Sequence, residues 1–450
     1  MADPVSAMTA QQPAAAASDP IAGSPTYPIG SRVNESGHLE IGGCDTVDLA
    51  REFGTPAFVY APDDIRARAR AYTGALASRG ADGEILYASK AAPITAIYRL
   101  LRDQGLSVDV ASGGELHGAL RAGFDPARIY MHGNNKSAAE LRLAFDAGVG
   151  CIVVDSLDEI AHADGLLDER GGEQQVLIRL TPGIRPSTHS SVQTGQLDSK
   201  FGFGIGDGQA QRAVEAVAAS RHLCLAGFHA HIGSQIFELE PYVRAIEAMA
   251  AFAVPLGPRV LNVGGGLGIS YGAGEQPPAI DEYVGVKVDA VRSLFGADPV
   301  PRILLEPGRS LVGNGGVTLY TVGTVKEVPG VRTYVAVDGG MSDNLRPMLY
   351  GSRYEALIAD RAAAPAERRV TVAGKHCESG DVLIEDALLA APRTGDVLVT
   401  PATGAYGYAM ANNYNGVPRP PVIFCSGGDA RAVVRRETYE DLTARDVADD

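Results

Sequence analysis

A chain of 450 residues is too long for one small domain and suits two domains, or one large barrel with an appendage. Its apolar share of 45% and charged share of 21% allow a substantial core, and its net charge of −15 argues against a nucleic-acid or anionic membrane partner. No apolar run approaches the roughly 18 residues needed to span a bilayer.

In chain order, the opening "MADPVSAMTAQQPAAAASDPIAGSPTYP" has no basic residue before Arg32 and no unbroken apolar stretch. It reads as a disordered leader over residues 1–25, neither secretory signal nor transit peptide. Residues 26–49 are expected to supply a strand segment that joins a second, β-rich domain. The five cysteines, Cys44, Cys151, Cys224, Cys377 and Cys425, are scattered without a C-x-x-C pair. They fit a reducing cytoplasm and give no zinc or disulfide pattern.

Short apolar runs then recur: "EILYASK" from Glu84, "LSVDVAS" from Leu106, "IYMHG" from Ile129, "CIVVDS" from Cys151 and "QVLIRLTP" from Gln175. Their starts are 22, 23, 22 and 24 residues apart, with one helix-like segment in each gap. That is the rhythm of parallel βα units. Ser112, Ser137 and Ser156 each precede a glutamate by three residues, the pattern of a capping box at a helix start. The series continues with "LAGFHAHI", "RVLNVGGG" and "RILLEPGRSL". Eight units predict a (β/α)8 barrel over residues 50–311. The polar, Gly-rich stretch "TPGIRPSTHSSVQTGQLDSKFGFGIG" before the sixth strand reads as an active-site loop. From residue 312 to 450, short β-type runs separated by Gly, Pro and Asp predict a mostly antiparallel β domain.

The functional face of such a barrel lies at the C-terminal ends of its strands. Those ends carry Lys90, Ser112, His132, Asp155, Arg179, His229, His231, Gly264–Gly266 and Glu306. A lysine in a cleft forms a Schiff base with a carbonyl. Three glycines at a βα joint let backbone N–H groups approach an anion, and Ser234 in "HIGSQ" offers a second donor. Glu306 and Arg309 in "EPGRS" suit a pyridinium nitrogen and an anion. Together these residues describe a site for pyridoxal 5'-phosphate. The H-x-H of His229 and His231 raises a rival, a metal-dependent hydrolase recruiting His132 and Asp155, but that reading leaves the lysine, Ser234 and the glycines without work.

The stretches "YASKA", "TGQLDSKFGFG", "HAHIGSQ", "NVGGGLG", "EPGRS", "VDGGMSDNLRPMLYGSRYEA", "GKHCESGD" and "GAYGYAMANNYN" resemble the diaminopimelate decarboxylase family, of the alanine-racemase-fold class (fold type III) of pyridoxal-phosphate enzymes. The resemblance covers nearly the whole chain after the leader. One departure is Ala92, where the family usually has asparagine after "KA". The resemblance implies decarboxylation of meso-2,6-diaminopimelate to L-lysine, the last step of lysine biosynthesis. It further implies that Lys90 carries the cofactor, His231 stacks on its ring, and Glu306 pairs with its nitrogen. Ser234, Gly264, Gly265 and Gly266, with the backbone of Glu306, Pro307, Gly308 and Arg309, hold the phosphate end and ring. Arg309, Arg346 and Tyr350 face the substrate's carboxylates, and Tyr406 touches cofactor and substrate. Cys377, as proton donor, and Glu378, as partner of the distal amine, would reach over from the second subunit of a homodimer. The alternative is an ornithine- or arginine-type decarboxylase of the same fold, whose substrates lack the distal carboxylate. A non-catalytic cofactor binder is disfavoured by intact Lys90, Cys377 and Glu306.

Overall fold

The computed structural model describes residues 19–184, 199–296 and 300–447. Eight parallel strands close on themselves: β1 (Gly83–Ala88), β2 (Ser107–Val110), β3 (Ile129–Met131), β4 (Cys151–Val154), β5 (Gln174–Thr181), β6 (Leu223–His229), β7 (Val260–Asn262) and β8 (Arg302–Leu305). β8 returns to β1 with Leu305 opposite Ile85, which leaves the ring without an edge. Helices cover the outside because each has one apolar stripe to bury. Helix Thr95–Asp103 buries Ile97, Tyr98, Leu100 and Leu101, and helix Ala138–Ala147 buries Leu141, Ala144 and Phe145. Each such side chain contributes roughly 1.5–3 kcal/mol. Gly148 ends the second of these helices in the left-handed region at φ 75°, its N–H returned to the last turn.

The three serines cap their helices as expected, but the reciprocal half of the box closes only at Ser137–Glu140. Glu115 and Glu159 find other partners instead. Glu115 accepts from the Ala111 N–H (2.7 Å) and the Ser89 hydroxyl (2.8 Å). Glu159 accepts from the Asp155 N–H (3.1 Å) and the Lys136 ammonium (2.6 Å). Both glutamates therefore brace the strand ends from beneath.

The second domain is built on β9 (Gly316–Val328), β10 (Arg332–Val337), β11 (Arg368–Ala373), β12 (Val382–Leu389), β13 (Val397–Thr400), β14 (Val422–Ser426) and β15 (Asp429–Val434). Its pairings are mostly antiparallel, with β10–β11 parallel. Two boundaries move. Strand Ala57–Tyr60, inside the span expected for the barrel, lies in this sheet between β9 and β14. All four of its residues are buried, as suits a central strand covered on both faces. The strands of residues 26–49 form a three-stranded sheet of their own, which joins the domain by packing and by the Ala362 and Gly428 N–H groups donating to the Gly37 and Gly42 carbonyls (both 2.9 Å). Leu39, Ile41 and Cys44 share an apolar cluster with Val317, Leu319 and Ile423. Among the described residues no helix is long and apolar enough to cross a membrane.

Candidate active site

Adjacency of β1 and β8 brings Lys90 and Glu306 to one mouth. The Ala88 N–H donates to the Pro307 carbonyl (3.1 Å), so the end of β1 is tied to the turn after β8. Lys90 stands in the tight turn Ser89–Ala91, held on one side by Ser89–Glu115 and on the other by the Tyr406 N–H donating to the Ala91 carbonyl (2.7 Å). Its ammonium makes no hydrogen bond or ion pair among the described residues. It faces a cavity of about 280 Å³ whose wall also includes His231, Ser234, Gly266, Glu306, Arg309 and Tyr406.

Glu306 is buried at the floor. One oxygen accepts from the Asn262 amide (2.7 Å) and lies 2.9 Å from His132 Nε2; the other lies 3.1 Å from His229 Nε2. Burial alone would raise its carboxyl, but His132 and His229 outweigh it and hold the group well below the usual carboxylate range. Burial pushes His229 down to about 4, so it serves as a neutral N–H donor. Asp109, at the cavity wall, is driven up to about 7 by burial and then by Glu306. Two carboxyls this close do not both stay ionised, and Glu306 is the one that does. His132, His229 and Glu306 offer ligand atoms within 4.8 Å of one another. A metal there would share its surroundings with the cations of Arg179 and Lys90. Asp155, recruited in the rival reading, is instead spent on the Gly202 N–H and Arg179 (3.5 Å).

The glycine turn needs its glycines. Gly264 and Gly266 have φ of 63° and 112°, and a Cβ on Gly265 would strike the Glu306 carbonyl. The N–H groups of Gly266 and Leu267 donate to nothing among the described residues, and both residues line the cavity. Beside them, Ser234 Oγ accepts from Arg309 Nε (3.2 Å) and Nη2 (3.0 Å). The Gly265 N–H donates to His231 Nδ1 (3.3 Å), which orients that imidazole. Burial, then the Lys90 charge, pushes His231 well down, leaving a flat neutral ring. An unpaired amine, a neutral ring, an ionised buried carboxylate and open N–H donors fit pyridoxal 5'-phosphate from aldehyde to phosphate.

Other expected residues stand farther out. Gly264, Gly265 and Pro307 support the wall from behind, while Gly308 is part of it. The guanidinium carbons of Arg309 and Arg346 lie 4.9 and 5.5 Å from the Tyr406 ring centroid. Arg346 is buried off the cavity, donating to the Tyr354 hydroxyl (2.9 Å), with Tyr350 on the same helical turn. Cys377 and Glu378 are exposed, away from the cavity. Residues 185–198 of the expected active-site loop lie outside the described residues; its returning end places Lys200 and Phe201 in the cavity wall, Phe201 under the Arg179 guanidinium at 4.3 Å. Asp109, Asn262, Tyr354 and Tyr271, whose hydroxyl accepts from Arg309, carried no expectation from the sequence. A lone polar residue inside an apolar strand, as in "SVDV" and "VLN", was the available signal for the first two.

The family described as "Pyridoxal-dependent decarboxylase, pyridoxal binding domain" matches residues 62–313. A diaminopimelate decarboxylase of Bacillus subtilis is 50% identical over 426 residues, covering 93% of this chain and 97% of that protein. The crystal structure of diaminopimelate decarboxylase from M. jannaschii in complex with L-lysine is similar with TM-score 0.88 and 32% identity, over 93% of this chain and 98% of that one. Its counterpart from Helicobacter pylori, also complexed with L-lysine, gives 0.81 and 31% over 89% and 98%.

Proposed function

The chain belongs to the diaminopimelate decarboxylase family, and we propose that the cavity at its barrel mouth is where carbon dioxide leaves meso-2,6-diaminopimelate. It is a carboxy-lyase that depends on pyridoxal 5'-phosphate, yields L-lysine, and serves the last step of lysine biosynthesis. When bound, that cofactor accepts the electron pair left behind by carbon dioxide. Lys90 is the amine that would hold the cofactor's aldehyde end. Glu306, kept ionised, favours a protonated ring nitrogen. His231 would lie against the ring, while Ser234, Gly264–Gly266 and the backbone from Glu306 to Arg309 would hold the phosphate end. Arg309, Arg346 and Tyr350 receive the substrate's carboxylates, with Tyr406 between the two arginines.

Cys377 returns a proton to the carbon that lost carbon dioxide, and Glu378 takes the distal ammonium. Both are exposed and off the cavity of their own chain. The reading therefore requires a homodimer in which each "HCESGD" turn completes the partner's site. We place the protein in the cytoplasm, a setting supported by its five free cysteines.

The observation that carries this assignment is the Lys90 amine, unpartnered among the described residues, sharing one cavity with an ionised Glu306 and the glycine turn. Purified protein given the cofactor and, separately, meso-diaminopimelate, ornithine and arginine is expected to release carbon dioxide from the first alone. Comparable release from ornithine would reject the role given to the arginine pair.

A further inference from the structure

Behind the glycine turn lies a buried lysine that is not part of the cavity wall. Lys287 extends from helix Ile280–Phe295 and has no exposed surface. Its Nζ donates to the carbonyls of Val263 (2.8 Å) and Gly264 (3.0 Å) and to the Tyr283 hydroxyl (2.6 Å). Three acceptors match the three N–H bonds of an ammonium. The rings of Tyr242 and Tyr283 stand 4.5 and 4.3 Å from it, and aromatic faces attract a cation.

What this cation lacks is an anion. It forms no ion pair among the described residues, and a buried charge without a counter-ion is costly. Burial pushes Lys287 well below the usual lysine range, with Glu306 the one charge that acts against it. For packing alone, an apolar side chain of similar length between two tyrosines would serve as well or better. Gly266 and Leu267 of the same turn line the cavity, and their N–H groups donate to nothing among the described residues. The turn's carbonyls are thus engaged by Lys287, while its unengaged N–H groups belong to residues of the cavity wall.

We propose that Lys287 is a positioning residue for the cofactor's phosphate, holding the Val263 and Gly264 carbonyls back and carrying a positive charge behind the turn when the phosphate is bound. This rests on the reading above that Ser234 and Gly264–Gly266 hold that phosphate. Phosphate and ammonium then stabilise each other through the turn, and an aldehyde lacking the phosphate gains nothing from Lys287.

The test compares pyridoxal 5'-phosphate with pyridoxal, which differs only in the phosphate, as ligands of the cofactor-free protein. In Lys287→Met, which keeps the packing and loses the charge, affinity for pyridoxal 5'-phosphate is expected to fall on the order of ten- to a hundredfold. Affinity for pyridoxal is expected to stay unchanged, and the melting temperature of the cofactor-free protein to hold or rise. Inorganic phosphate is expected to stabilise the cofactor-free wild type and to lose that effect in the variant. Lys287→Gln, which keeps donors for the carbonyls without the charge, is expected to show the same selective loss. Equal weakening of both ligands, no weakening of either, or failure of both variants to fold would each overturn the proposal. Ser234→Ala serves as the control. If it too leaves the two ligands equally affected, the phosphate sits elsewhere and the underlying reading falls; if it separates them and the Lys287 variants do not, the present inference alone falls.

Discussion

The barrel mouth and the Cys377 turn of the second domain are both polar, yet they are held in opposite ways. At the mouth, Glu306 is enclosed by His132, His229 and Asn262, and its environment sets its charge. At the turn, the buried partners are the flanking ones: His376 Nδ1 pairs with Asp381 at 2.7 Å, while Cys377 and Glu378 between them project into solvent. A rigid base presenting exposed reactive groups is what a loop serving another molecule requires. On the function proposed above, the contrast separates a cofactor seat built within one chain from a proton donor offered outward.

The sharpest way to break that contrast is to disable each region in a different copy. Lys90→Ala is expected to abolish the visible absorbance of bound cofactor and to cut turnover by about 10³-fold or more. Cys377→Ala is expected to keep the absorbance and lose about 10²- to 10⁴-fold in kcat, the usual worth of a general acid. Mixed under subunit exchange, the two inactive variants should recover up to roughly a quarter of wild-type activity, because half the dimers are hybrid and each hybrid has one intact site. If exchange is demonstrated and no activity returns, the turn does not serve a partner.

Much of the mouth was legible because barrel strands are apolar runs bounded by caps, so that a lysine, histidine or glutamate at the end of one stands out. Lys90, His231 and Glu306 are such residues. Asp109 and Asn262 were not, since a single polar side chain inside an apolar strand looks the same whether it faces a ligand or a neighbouring backbone group. Strand Ala57–Tyr60 was misplaced for a related reason: four buried residues in a row have no period to say which sheet they enter. Lys287 was hidden more thoroughly, because "DEYVGVKVDAV" resembles any surface helix and the acceptors of its ammonium come from another element, save Tyr283 four residues earlier.

A second comparison sets the floor of the mouth against acid. His229 has its folded-state pKa lowered to about 4, below the roughly 6.5 of an unfolded histidine. Between those values the unfolded chain binds a proton that the folded chain refuses, so stability is lost as pH falls from 6.5 toward 4. The shift corresponds to about 3 kcal/mol. Glu306, also depressed, contributes stability that is lost only below its ordinary range, as pH falls through its lowered folded value. Denaturant titrations of the cofactor-free protein at pH 7 and pH 4 are expected to show a difference about 3 kcal/mol smaller in His229→Gln. An identical loss in the variant would mean that the floor is open to water.

The smallest expected effect probes the base of the Cys377 turn. Asp381 accepts from the Met341 N–H (2.7 Å), the His376 N–H (3.0 Å) and His376 Nδ1, and the absent Cβ atoms of Gly340 and Gly374 make room for its carboxylate. Asn412 joins the same base through its N–H to Ser342 (2.8 Å), and Asn415 accepts from the Cys377 N–H (2.9 Å). Asp381→Asn preserves shape but removes one of these acceptors, at a cost of about 1–3 kcal/mol. Since the cofactor seat lies elsewhere, kcat is expected to fall about tenfold while affinity for pyridoxal 5'-phosphate is unchanged. A parallel fall in cofactor affinity would show that the two regions are coupled within one chain, and that the division drawn between seat and donor is too clean.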